Sequence, residues 1–204
     1  MNKGLVEQLG SWDQVYKVLA PAELPWNAGK ADSDLVRTIE SGTVALGRVV
    51  DLGAGPGHDA IYLATKGFQV LAVDIAPAAI ELAKTNARLA NVESKIEFKV
   101  QDILQVKPTP ASMTLIHDRG CFHTLQPQDR GRYVDIVRQA LAPNGTLLLK
   151  TFSDKEPPGP GPYRFTRLEL EQAFAPSFEL TEFVDSIFEG PRKPKAYFCV
   201  LRPR

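Results

Sequence analysis

From Val49 onward, short aliphatic and β-branched runs alternate with stretches whose apolar residues recur every three or four positions. The runs RVVDLG, QVLAVDI, KIEFKV, SMTLIHD and GTLLLKT read as strands. Between them, HDAIYLATKG, APAAIELAKTNARLA and the segment 128–141 have the spacing of amphipathic helices. Such alternation predicts an α/β fold with a parallel sheet, right-handed crossovers and helices on both faces. After Thr151 the pattern changes. A loop with PPGPGP gives way to a helix, TRLELEQAF, and then to two longer runs, SFELTEFVDSIFE and KAYFCVLRP. The turn GPRKP joins these two as a hairpin on one side of the sheet. Before Val49, two helical segments flank the loop APAELPWNAGKADS, and no internal repeat is present.

The first strand ends in VVDLGAGPGHDAIYLA, where Gly53, Ala54, Gly55 and Gly57 form a turn of nearly bare backbone before a helix. Glycine accepts positive φ and lets a ligand approach the main chain closely. The dinucleotide fingerprint G-x-G-x-x-G fails, because its third glycine position holds His58. A phosphate loop fails too, for want of Gly-Lys-Ser/Thr. What remains is a row of acids at strand ends: Asp51 before the turn, Asp74 beside Ile75, Asp102 beside Ile103, and Asp118. Open α/β sheets bind ligands along that rim, and an acid after the second strand can accept both hydroxyls of a ribose. With no cation offered for a pyrophosphate, the rim suits an adenosine with a cationic, phosphate-free tail. Any one of these acids could instead be a helix cap.

These stretches resemble the motifs of the class I S-adenosylmethionine-dependent methyltransferases, from Trp26 to the final hairpin. The resemblance implies a Rossmann-like, seven-stranded, mostly parallel sheet with its last strand antiparallel. It also implies S-adenosyl-L-methionine as cofactor. Asp51 and the glycine turn would hold the methionine part, Asp74 the ribose, and Asp102 with Ile103 the adenine, with Ile75 also in the cofactor site. The Asn/Asp-Pro-Pro-Tyr/Phe stretch of the enzymes that methylate nucleobase amines and glutamine is missing after the fourth strand. DRGCFHTL stands there instead and, together with LPWNAGKADSDL, is similar to the small-molecule branch of thiopurine, thiol/halide and tellurite-detoxifying methyltransferases. In that branch the segment around Trp26 and Gly29 folds over the cofactor, which makes Trp26 the candidate cap on the sulfonium side.

The acceptor side admits two readings at each residue. Asp118 contacts the methionine ammonium or caps the next helix; His123 is a base or substrate contact, or a packed ring beside Phe122; Arg119 binds an anionic substrate or pairs with a carboxylate. Cys121 is a weak candidate for a soft metalloid, and His58 points into the site or caps its helix. The loop 154–166 is a lid carrying Tyr163, Arg164 and Phe165, or a stiff connector. A thiol is already a few per cent ionised at neutral pH, so a thiol or selenol acceptor needs no strong base. The alternatives are an O- or N-methyltransferase of a small metabolite, or a cofactor-binding module without transfer activity.

Composition narrows the partners further. Among 204 residues, 24 Lys and Arg balance 24 Asp and Glu, so no overall basic field is present to capture nucleic acid or an anionic membrane. Cys121 and Cys199 lack any metal-ligand spacing, so no metal is expected, and two lone cysteines fit a reducing cytoplasm. Polar residues interrupt the N-terminal stretch, as in neither a signal-peptide core nor a membrane span. The expectation is one domain over 1–204, with 1–46 as a helical cap, acting on a small molecule as a monomer or weak homo-oligomer.

Overall fold

The computed structural model describes residues 2–107 and 109–204. Its centre is one sheet of eight strands: β1 (Arg48–Leu52), β2 (Gln69–Asp74), β3 (Ile96–Val100), β4 (Met113–Arg119), β5 (Leu141–Ser153), β6 (Arg164–Phe165), β7 (Phe178–Ile187) and β8 (Lys195–Pro203). The order is β3-β2-β1-β4-β5-β8-β7, with the two-residue β6 paired to β5 off this path. β1 to β5 run parallel, while β8 lies antiparallel to both β5 and β7. The mostly parallel sheet with an antiparallel last strand is therefore as expected. The additional β6 is a short pairing with no alternation long enough to be read in the sequence.

Helices cover both faces because the central strands bury both sets of side chains, the habit of parallel sheets. Val50, Leu52, Ile116, Leu147 and Leu149 pack with residues of α6 (Arg130–Ala140) and α7 (Arg167–Phe174). Their sequence neighbours Val49, Leu115 and Leu148 face the other way, towards α3 (Ser33–Glu40), α4 (His58–Thr65) and α5 (Pro77–Leu89). The N-terminal stretch read as one helix is two, α1 (Asn2–Leu9) and α2 (Trp12–Val18). Gly10 turns the chain at φ +87°, and Ser11 Oγ accepts from the Gln14 N–H at 3.2 Å to start α2. Asp13 then accepts from the Ala78 N–H at 2.9 Å, which fastens α2 to the first turn of α5. Among the described residues, no helix is long and apolar enough to cross a membrane.

Candidate active site

The carboxyl ends of the parallel strands open into one cavity of about 360 Å³. It extends along the sheet edge from the end of β3 to the hairpin between β7 and β8. The glycine turn forms its floor. Gly53 and Ala54 donate to the Val73 carbonyl, Gly57 to the Ala54 carbonyl, and Gly55 to Asp74 Oδ2 at 2.9 Å. Those four N–H groups are thus already in use, and Pro56 has none, so this is no phosphate cradle. Gly57 caps α4 at φ +81° and lies under the turn, away from the cavity lining, against Ala83.

Asp51, Asp74 and Asp102 all line the cavity. Asp51 Oδ1 is 2.9 Å from His117 Nδ1, while its Oδ2 is buried without a hydrogen-bond partner. Burial works against a charge on His117, but the Asp51 hydrogen bond and nearby Asp59 overcome it and hold that imidazole above its ordinary pKa. A buried, unpartnered carboxylate oxygen beside a cavity suits a cationic donor. Asp59 lines the same region, and burial raises its carboxyl. It went unremarked in the sequence because it follows His58 in a helix start. Burial also raises Asp74 to about 6, against the pull of the Ala76 and Gly55 N–H groups that it accepts. Asp102 Oδ1 caps a short turn through the Leu104 N–H, with half-exposed Ile75 and buried Ile103 beside it on the cavity wall.

Asp118 is placed differently from its ammonium reading. It is fully buried and does not line the cavity. Its two oxygens accept from the N–H groups of Cys121 and Phe122 and from the Tyr133 hydroxyl, so it folds the turn after β4.

Three aromatic residues roof the cavity: Trp12 and Tyr16 from α2, and Trp26 from the following loop. Both α2 rings meet Trp26 edge to face at 5.7 Å, and Trp26 Nε1 donates to Tyr16 Oη at 2.8 Å. Trp26 thus lines the cavity roof together with both α2 rings. The four-residue spacing of Trp12 and Tyr16 puts them on one helix face.

Towards β5 and the hairpin, the lining changes to Arg119, Cys121, His123, Phe152, Phe188, Arg192 and Pro194. Phe152, Phe188 and Arg192 carried no sequence signal, since an aromatic in or after a strand reads as core. The Cys121 thiol packs on Gly53, and burial followed by nearby Asp118 raises its pKa well above the usual range. His123 Nδ1 accepts from the Phe152 N–H at 3.0 Å, so the ring proton of the neutral imidazole resides on Nε2. Nε2 is buried without a hydrogen-bond partner. Burial pushes the His123 pKa down to about 3, with the Phe152 and Phe188 rings packed beside it. Arg119 pairs with Asp32, which leaves its anion-binding reading without a free charge.

Two other candidates lie outside the cavity lining. His58 Nε2 is 3.0 Å from Asn27 Oδ1 and ties α4 to the Trp26 loop. No residue of 154–166 lines the cavity. Arg164 donates to the carbonyls of Glu156, Pro157, Gly159 and Pro162, and Phe165 packs into the core at 5.4 Å from Phe122. That loop is a stapled connector, not a cover over the site.

A sequence profile described as thiopurine S-methyltransferase matches residues 7–197. The chain belongs to that family. It is an S-adenosylmethionine-dependent methyltransferase, and the acid-lined, phosphate-free rim suits that cofactor. A probable thiol methyltransferase 2 of Arabidopsis thaliana is 28% identical over 90% of this chain and 80% of its own length. A 2-heptyl-1-hydroxyquinolin-4(1H)-one methyltransferase of Mycobacteroides abscessus is 30% identical over 79% of this chain and 73% of its own. Among solved structures, one described as converting a disulfide bond into a thioacetal group during echinomycin biosynthesis has a TM-score of 0.82 at 21% identity. It covers 96% of this chain and 93% of that one, a likeness of fold.

Proposed function

We propose that this methyltransferase acts on small acceptors that ionise without enzymic help, thiols first among them. One observation carries the reading: the histidine on the acceptor side is a donor and not a base. The His123 lone pair at Nδ1 is taken by the Phe152 N–H, and burial disfavours a second proton on the ring. A hydroxyl or amide acceptor would need a group to remove its proton, whereas a thiol of pKa about 8.5 supplies thiolate from solvent equilibrium.

S-adenosylmethionine, when bound, supplies a methyl group on a sulfonium, open to in-line displacement. Asp51 with Asp59 would take its ammonium, Asp74 the ribose, and Asp102 with Ile75 and Ile103 the adenine. Trp26 and Tyr16 keep water from the sulfonium side, which preserves alignment and desolvates the nucleophile. His123 Nε2–H presents a donor towards an anionic acceptor. Arg192, exposed on the cavity wall with no ion-pair partner among the described residues, adds a positive potential there.

The name of the Mycobacteroides relative makes an N-hydroxy heterocycle the second class to try. Incubation with methyl-labelled cofactor and a panel of thiols, selenols, 1-hydroxyquinolinones, phenols, amines and bulk RNA tests the proposal. Label should pass to thiols or other self-ionising acceptors above the rate without enzyme. Transfer only to amines or RNA would overturn it, and cofactor binding without transfer to any acceptor would favour a binding module.

A further inference from the structure

The acceptor end is walled by two segments distant in sequence, the Trp26 loop and the hairpin 188–194. One buried charge cluster reaches both. The side chains of Lys150, on β5, and Asp32, at the cap of α3, are each 2% exposed. Lys150 Nζ donates to both Asp32 oxygens at 2.8 and 2.6 Å and to the Ile187 carbonyl at 3.1 Å, and is 2.8 Å from Asp34 Oδ2. Arg119 Nε donates to Asp32 Oδ2 at 3.0 Å. Its other two nitrogens donate to the carbonyl of Trp26 and to that of Glu189, each at 3.3 Å. Both cations also lie over the Phe188 ring, at 5.6 and 5.9 Å.

Lys150 and Arg119 here face Asp32 and Asp34, and Asp34 also pairs with Arg37 at 3.3 Å. Burial works against charge on Asp32, and Lys150 and Arg119 outweigh it, so its carboxyl stays below the usual range. Burying such a set is a poor route to stability, since apolar residues of similar volume often do as well. Geometry is what it provides. A guanidinium is a planar fork that can bind a carboxylate and two carbonyls at once, and an ammonium on a flexible stem cannot span the same three.

We propose that Arg119 is a positioning residue. Backed by Asp32 and Lys150, it fixes the Trp26 loop and the Phe188 hairpin to each other and to the sheet, and so sets the width of the acceptor end. Its guanidinium faces the cavity yet does not serve as the substrate's counter-ion. The inference rests on reading that end as the acceptor's.

Arg119→Lys tests it, since it keeps a cation beside Asp32 and loses the reach to the carbonyls. Amide hydrogen exchange, measured without any acceptor, should rise together in 24–33 and 186–194 and stay unchanged in β1, β4 and α5. Acceptor KM should rise by about tenfold or more, equally for neutral and anionic acceptors, and by more than any loss of S-adenosylhomocysteine affinity. Unchanged exchange in both segments would overturn the proposal, as would a loss confined to anionic acceptors. Should Arg119→Lys prove unstable, Lys150→Met removes the backing charge and is read by the same exchange pattern. If no thiol is turned over, the exchange result still judges the tie, and the substrate reading falls by itself.

Discussion

A histidine can act as a base only while a nitrogen lone pair faces the acceptor, and at His123 that lone pair points to the Phe152 amide. The same placement has a thermodynamic signature. In the unfolded chain a histidine titrates near 6.5, as a rule of thumb, while in the fold His123 is pushed down to about 3. As pH falls, the unfolded chain therefore takes up this proton first. The stability due to a neutral His123 is complete above the unfolded pKa and is lost towards the folded one, by up to about 1.4 kcal/mol per pH unit. His123→Phe should accordingly gain on the wild type in melting temperature between about pH 7 and about pH 4.5, on top of a constant penalty for the orphaned Phe152 N–H. A pH-independent gap would mean that the ring protonates in the fold as readily as in water. Residue identity alone could not reveal this, because the tautomer is set by an amide 29 positions away. Asp118 was obscure for a like reason. An acid at a strand end reads the same whether it faces the rim or turns back to cap the chain, whereas Asp51, Asp74 and Asp102 were legible by their order along successive strands.

Within the glycine turn, positions two residues apart do different work. A Cβ on Gly55, at φ +51°, would come within 2.8 Å of Tyr16 Oη. On Gly57, at φ +81°, it would come within 2.8 Å of Ala83 Cβ and force α4 away from α5. Both substitutions to Ala carry the backbone penalty of a left-handed residue, about 1–2 kcal/mol. Beyond that shared loss, Gly57→Ala should lower the melting temperature more, and Gly55→Ala should lower S-adenosylhomocysteine affinity more. Calorimetric titration beside thermal melting checks the ranking, and the reverse order would assign the roles the other way. The turn itself was plain in GAGPG. Its cover was not: Trp12 and Tyr16 share a face of α2, but which face meets the cavity depends on where Asp13 docks that helix on α5. The prolines of 154–166 likewise announced a stiff loop, and only the carbonyls bound by Arg164 show that it folds away from the site.

At the scale of the molecule, the cavity joins the acids at the ends of β1 to β3 to a chamber made by β4, β5 and the last hairpin, lined by aromatic rings, His123 and two arginines. The half of the cavity lined by acids was legible because it follows one repeating pattern, strand then acid. The acceptor half draws on Trp26, His123, Phe152 and Phe188, which are brought together by sheet order, with β8 inserted between β5 and β7. Such long-range assembly leaves no local signature. On the function proposed above, this chamber aligns an acceptor and excludes water but removes no proton, so the ionisation that governs the rate belongs to the acceptor. The direct measurement is the pH dependence of kcat/KM for a series of thiols of graded acidity, with wild type and His123→Asn. The midpoint should move with each thiol's own pKa, and the loss in the variant should be smaller than the roughly 10²- to 10⁴-fold typical of a missing acid or base. A midpoint fixed across the series and abolished by His123→Asn would contradict the proposal.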